Sequence, residues 1–98
     1  MPKMVRAHII IEGVVQGVFF RANTADIAST NSVTGWVRNN PDGSVEAVFE
    51  GEEENVKNIV AWCRTGPKGA RVDRVNAKWE EYKNEFDDFT AITRHNSY

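Results

Sequence analysis

Cysteine is nearly absent from this chain. Cys63 stands alone, so no intrachain disulfide can form and neither a Cys₂His₂ nor a Cys₄ zinc site can be assembled. A reducing compartment suits that usage. Long apolar runs are missing as well: the longest near the start is Ile9-Ile10-Ile11, far short of the roughly 20 residues that span a bilayer or the about 7–15 of a signal-peptide core. A cytoplasmic protein with no membrane partner is expected. Nor does one sign of charge dominate, because 12 basic and 14 acidic side chains are interspersed and leave a formal charge of −2. That balance gives nucleic acid no broad positive field and a membrane no basic amphipathic anchor, while leaving room for a local anion site.

What is present suits one domain over residues 1–98. With 41% hydrophobic residues, a 98-residue chain can fill one two-layer core without metal or disulfide staples. Three Trp and five Phe supply large pieces for it. Met4 to Glu12 reads as a strand, with Val5, Ala7, Ile9 and Ile11 on one face, and it ends at Gly13. Gly13 to Phe19 is a loop, and Phe20 to Asn31 a helix whose inner face carries Phe20, Thr24, Ile27, Ala28 and Asn31. Val33 to Asn39 and Ser44 to Glu50 are strands joined by the turn Asn40-Pro41-Asp42-Gly43, hence a hairpin.

Gly51 breaks the third strand, and Glu52-Glu53-Glu54 opens a second helix with acidic residues at the positive end of its dipole, ahead of the Val56, Ile59, Val60 and Cys63 face. Gly66-Pro67-Lys68-Gly69 ends that helix. Val72 to Tyr82 is a fourth strand in which Val75, Ala77 and Trp79 alternate, and Phe86 to Arg94 an optional fifth. The order predicts an α+β, ferredoxin-like βαββαβ sandwich, with two helices on one face of a four- to five-stranded, mainly antiparallel sheet. In that layout the first and second strands run parallel with the third between them. The loop after strand one and the end of strand two then share one edge, bringing Arg21 and Asn39 together.

A glycine-containing loop that leads from a strand into a helix can aim several N–H groups at one anion, assisted by the helix dipole. Arg21, just inside the helix, adds a planar fork suited to phosphate oxygens. The glycine spacing is neither the P-loop pattern nor the dinucleotide fingerprint, and no Lys-Ser or Lys-Thr pair follows Gly17. On these residues alone, a merely structural turn remains the alternative.

Gly13-Val14-Val15-Gln16-Gly17-Val18-Phe19-Phe20-Arg21, then Ala28, Gly35-Trp36-Val37-Arg38-Asn39 and Asp42-Gly43-Ser44-Val45-Glu46, in order and at family spacing, resemble the acylphosphatase family. Gly66-Pro67 with Ala70 and Val72 is similar to a later family segment. The resemblance implies a ferredoxin-like fold and hydrolysis of small acyl phosphates to a carboxylate and inorganic phosphate, the latter acting also as inhibitor. It further implies Arg21 as the phosphate-binding arginine, Asn39 as the residue that positions the attacking water, and a substrate-binding loop of Val15, Gln16, Gly17, Val18, Phe19, Phe20 and Arg21. No metal or organic cofactor is called for, and a monomer is expected. Two departures stand out: Asn31-Ser32 replaces the usual Leu-Gly, with Asn31 expected to take the left-handed cap, and Phe86 to Tyr98 matches poorly.

Other residues carry blander readings. Arg38 points to the face opposite Asn39, as a solvated residue and not a second phosphate ligand. His8 is read as a strand residue facing a helix or solvent and His95 as a tail residue; neither has a carboxylate at a telling interval. Cys63 continues an apolar face and reads as a buried, inert thiol. Trp36 and Trp79 are core or sheet-face residues, and the three successive glutamates suit a helix N-terminus better than a metal. Two rival functions share the predicted fold. An RNA-recognition module would stack bases on sheet aromatics, but its aromatic octapeptide is missing and Gly17-Val18-Phe19-Phe20 sits at a loop–helix junction. A noncatalytic interaction domain is disfavoured by intact Arg21 and Asn39.

Overall fold

The structure, a computed structural model, describes residues 2–93. Arg94, the expected last residue of the fifth strand, and His95 lie outside the described residues. The elements are β1 (Met4–Val14), α1 (Phe20–Thr30), β2 (Thr34–Asn39), β3 (Val45–Glu52), α2 (Glu53–Cys63), β4 (Arg71–Glu80) and β5 (Phe89–Ile92). They form one five-stranded sheet in the order β4-β1-β3-β2-β5. Every neighbouring pair is antiparallel except β2 with β5, which is parallel. Two helices cover one face, as expected for the ferredoxin-like sandwich.

The period of two in the strands decides what is buried. Val5, Ala7, Ile9 and Ile11 of β1 meet Val45, Ala47 and Phe49 of β3 beneath the helices, all in the core. From α1, Phe20, Thr24 and Ala28 are buried with Ile27 packed against them; from α2, Val56, Ile59, Val60 and Cys63. Burial pushes the Cys63 thiol up to about 12, so it is not ionised at neutral pH. The aromatic contribution to the core is smaller than composition suggests. Phe20 and Phe49 are buried, and Phe20 rests on half-buried Trp62 with ring centroids 5.4 Å apart. Trp79 is 47% exposed, because β4 is an edge strand, and Trp36 lies on the helix-free face under Arg38.

Several boundaries move, each for a local reason. β1 runs past Gly13 through a bulge that shifts its pairing with β4 between Glu12 and Gly13. A Cβ on Gly13 would sit 2.0 Å from the Arg71 carbonyl oxygen, so only glycine fits that approach. β3 continues through Gly51, extended and paired with Val5, to Glu52, and α2 begins one residue later. At the end of α1 it is Ser32, not Asn31, that turns left-handed, with φ 56°. Asn31 keeps a negative φ of −100°, its Nδ2 donating back to the Ile27 carbonyl at 2.7 Å.

β5 is shorter than expected because β4 and β5 occupy opposite edges. Residues 81–88 are spent crossing between them, and Phe86 belongs to that crossing, stacked 5.4 Å from the Arg6 guanidinium. A buried acid holds the crossing down. Glu50 is 1% exposed and accepts from Arg6 Nη1 at 3.2 Å, from the Lys83 N–H at 2.8 Å and from the Glu85 N–H at 3.2 Å. Arg6 also bonds Glu80 and Glu85. Burial alone would lower the Arg6 pKa, but its bonds to Glu85, Glu50 and Glu80 outweigh it and hold the guanidinium above its ordinary value.

Candidate active site

β1 and β2 are both antiparallel to β3, so they run parallel to each other and finish at one end of the sheet. β5, parallel to β2, delivers Ala91 and Thr93 to that same end. There Arg21 and Asn39 line one hollow of about 280 Å³ together with Gly17, Phe19, Ala22, Ala91 and Thr93. A larger hollow, about 600 Å³, opens beside Lys3, Met4, Trp79 and Tyr82, but the helix N-terminus that borders it, at the start of α2, carries the Glu53 carboxylate, and Glu80 and Glu81 line it as well, which disfavours an anion there. Chemistry and not volume singles out the smaller one.

The loop is pinned at both ends by its own apolar residues. Val15 and Phe20 are 1% and 2% exposed, and Val18 packs against the core between them. Gly17 and Phe19 both have positive φ, 76° and 61°, with Val18 between them at negative φ. Such alternation turns successive N–H groups toward one side, the geometry of an anion nest. Among the described residues, the N–H groups of Gln16, Gly17, Val18 and Phe19 donate to no other group of the protein. The start of α1, at Phe20, adds the positive end of its dipole.

Side chains fix the frame around this loop. Gln16 Nε2 donates to the carbonyls of Asn40, at 2.8 Å, and Ser44, at 2.9 Å. The turn it grips is itself closed by Asn40 N–H to the Ser44 carbonyl at 2.8 Å and by Ser44 N–H to Asp42 Oδ1 at 2.9 Å. Hydrogen bonds from the Ser44 hydroxyl and N–H hold the Asp42 carboxyl below the usual range. Half-buried Arg21 donates from Nη1 to the Ile92 carbonyl at 2.8 Å, and among the described residues its other donors, of five in all, have no partner. Asn39 is the last residue of β2, opposite Val45, on the same face as Val37.

Of the residues singled out in the sequence, Gly17, Phe19, Arg21 and Asn39 surround the hollow; the side chains of Val15, Gln16, Val18 and Phe20 serve the frame and the core. Ala22, Ala91, Thr93 and the Ile92 carbonyl were not foreseen. No spacing signal marks them, because β5 reaches the site only through its pairing with β2. Arg38 does face away from the hollow, donating to Glu46 Oε1 at 2.9 Å with its guanidinium 4.9 Å from the Trp36 ring centre. His8 lies on the same helix-free face, its Nε2 2.5 Å from Glu46 Oε2. Burial raises Glu46, but the bonds from His8 and Arg38 prevail and hold its carboxyl below the usual value. Among the described residues no group of three or more His, Cys, Asp or Glu is placed to hold a metal ion.

Comparisons with known proteins converge. A family model described as Acylphosphatase matches residues 7–91. A curated acylphosphatase of Pyrobaculum calidifontis is 53% identical over 91 residues, covering 92% of this chain and 83% of its own. One from Pyrobaculum arsenaticum is 54% identical over 91 residues, covering 92% and 96%. The structure of an acylphosphatase from Coxiella burnetii superposes with a TM-score of 0.86 at 34% identity, over 91% of this chain and 93% of that one.

Proposed function

The chain belongs to the acylphosphatase family, and from that premise we propose that the hollow binds the phosphoryl group of a small acyl phosphate and directs a water at its phosphorus. The enzyme is a hydrolase acting on acyl phosphates; the roles of its residues are the proposal. The carrying observation is the convergence of Arg21, Asn39 and the unpaired loop N–H groups on one hollow.

The chemistry asks little of a protein. Water adds to phosphorus, the bond from phosphorus to the carboxylate oxygen breaks, and the carboxylate leaves with the bonding electrons. Its conjugate acid has a pKa of about 4, so departure at neutral pH needs no general acid. What remains is to hold the phosphoryl oxygens, offset their charge and place the water in line. The loop N–H groups and the Arg21 fork do the first two. The Asn39 amide orients the water but is too weakly basic to deprotonate it, so the water proton passes to the phosphate. Nothing in this scheme calls for a metal or organic cofactor. Inorganic phosphate, sharing the cradle with the substrate, inhibits competitively. We take residues 1–98 as a single domain and the protein as a monomer, and place it in the cytoplasm, whose reducing conditions suit the lone cysteine.

The test is phosphate release from acetyl phosphate with a phosphate monoester in parallel. Fast hydrolysis of the anhydride and little of the monoester, whose alkoxide leaves without assistance, is the expected result. Folded protein that accelerates neither overturns the reading.

A further inference from the structure

Phe19 breaks two local rules at the mouth of the hollow. Its side chain is 80% exposed, more than any other large hydrophobic residue described. Its backbone is left-handed, φ 61° and ψ 26°, at the N-cap of α1, where a bulky residue is disfavoured and small polar residues or glycine are preferred. Single exposed hydrophobics are commonplace, but here the backbone that carries the side chain is fixed in an unusual conformation. The Phe19 carbonyl accepts both the Asn23 N–H at 3.1 Å and the Asn23 side-chain amide at 2.8 Å, so the first turn of α1 clamps the strained residue. Its neighbours Val18 and Phe20 pack inward, leaving Phe19 exposed at the hollow that Arg21, Ala22 and Ala91 also line. Local strain retained next to reacting groups marks a functional position.

We propose that the Phe19 ring is the platform on which the acyl group of the substrate rests, giving the enzyme a preference for flat aromatic acyl phosphates over small aliphatic ones. The inference rests on the phosphoryl group occupying the loop and Arg21, as proposed above. With that end anchored, the acyl end extends to the mouth of the hollow, where Phe19, Ala22 and Ala91 present carbon. A flat ring stacks there; an acetyl group covers only a corner. An aromatic pair is worth roughly a three- to tenfold preference beyond area burial. The reaction itself is unchanged.

The experiment measures kcat/KM for benzoyl phosphate and for acetyl phosphate in the wild-type protein and in Phe19→Gly, Phe19→Asn and Phe19→Tyr. Taking the ratio of the two substrates in each protein, and comparing ratios, cancels their intrinsic reactivities. Gly and Asn both suit a left-handed backbone but lack the ring, so both should lower the benzoyl-to-acetyl ratio about three- to tenfold, chiefly through KM for benzoyl phosphate. Phe19→Tyr, which keeps the ring, should hold it. A ratio unmoved by Gly and Asn, or lowered as far by Tyr, overturns the proposal. Acetyl phosphate turnover by the wild type reports separately on the phosphatase reading, so the two failures are distinguishable.

Discussion

Gln16 and Asn40, 24 residues apart, are joined by a single bond of 2.8 Å from Nε2 to the carbonyl oxygen, and the same nitrogen reaches the Ser44 carbonyl at 2.9 Å. This one amide ties the loop after β1 to the turn after Asn39. It therefore sets the spacing between the cradle and the end of β2. Gln16→Glu keeps the size but replaces the donor with a carboxylate facing two carbonyls. A loss of about 1–3 kcal/mol in urea unfolding is expected, with a lower kcat. Unchanged stability and kcat would show that the tie does not set the site.

Arg21→Ala should leave far-ultraviolet circular dichroism intact, remove most activity and raise the inhibition constant for phosphate. Because Arg21 also donates to the Ile92 carbonyl, a loss of about 1 kcal/mol in stability is expected alongside. Arg21→Lys should rescue poorly, since a point charge cannot reproduce the planar fork. Near wild-type turnover in either variant would mean that the anion site is misplaced.

Asn39 is assigned to the water. Asn39→Ala should lower kcat by on the order of 10²–10³, as when a preorganised catalytic donor is lost, with a much smaller change in KM. Asn39→Asp should not rescue it, because an ionised carboxylate cannot donate and repels the phosphoryl group. A change confined to KM would make Asn39 a binding residue.

Glu50 tests the far end of the sheet. Glu50→Ala leaves Arg6 and the N–H groups of Lys83 and Glu85 without their buried acceptor, and should cost about 3–5 kcal/mol. Calorimetry checks it. A drop in melting temperature of only a degree or so would show that Glu80 and Glu85 alone retain Arg6.

The pH dependence follows from Glu46 and Asp42, both held below the usual carboxylate range. A depressed folded pKa means that the ionised acid is favoured by folding. The stability is fully present above the ordinary value of about 4 and is lost as pH falls through the depressed values. Urea midpoints should therefore fall between pH 7 and pH 3, and fall less in Glu46→Gln. Equal falls in both proteins would remove Glu46 from the account.

Most of the architecture was legible because each strand or helix declares its inner face by periodicity: Val5, Ala7, Ile9 and Ile11, or Val56, Ile59, Val60 and Cys63. The crossover order then placed Arg21 near Asn39. What escaped depends on register between distant strands. His8 meets Glu46 only because β1 and β3 set His8 opposite Val48, a step from Glu46 along the helix-free face. Ile92 reaches Arg21 only because β5 extends alongside β2. The left turn at Ser32 in place of Asn31 was a contest between adjacent small polar residues, decided by the Asn31 bond to Ile27.

The crossing from β4 to β5 also arranges the molecule's acidity. Glu80, Glu81, Glu85, Asp87 and Asp88 are five of the 14 acidic residues, and the pairing of Arg6 with Glu80 and of Gly35 with Phe89 sets them at the end where β1 and β2 begin. The hollow lies where those strands finish. From Arg6 to Val14 the strand rises roughly 25 Å, about three screening lengths in physiological salt. An acyl phosphate, a mono- or dianion, thus meets a protein of net negative charge at the end that this acidic cluster does not occupy, with the guanidinium of Arg21 as the nearer field.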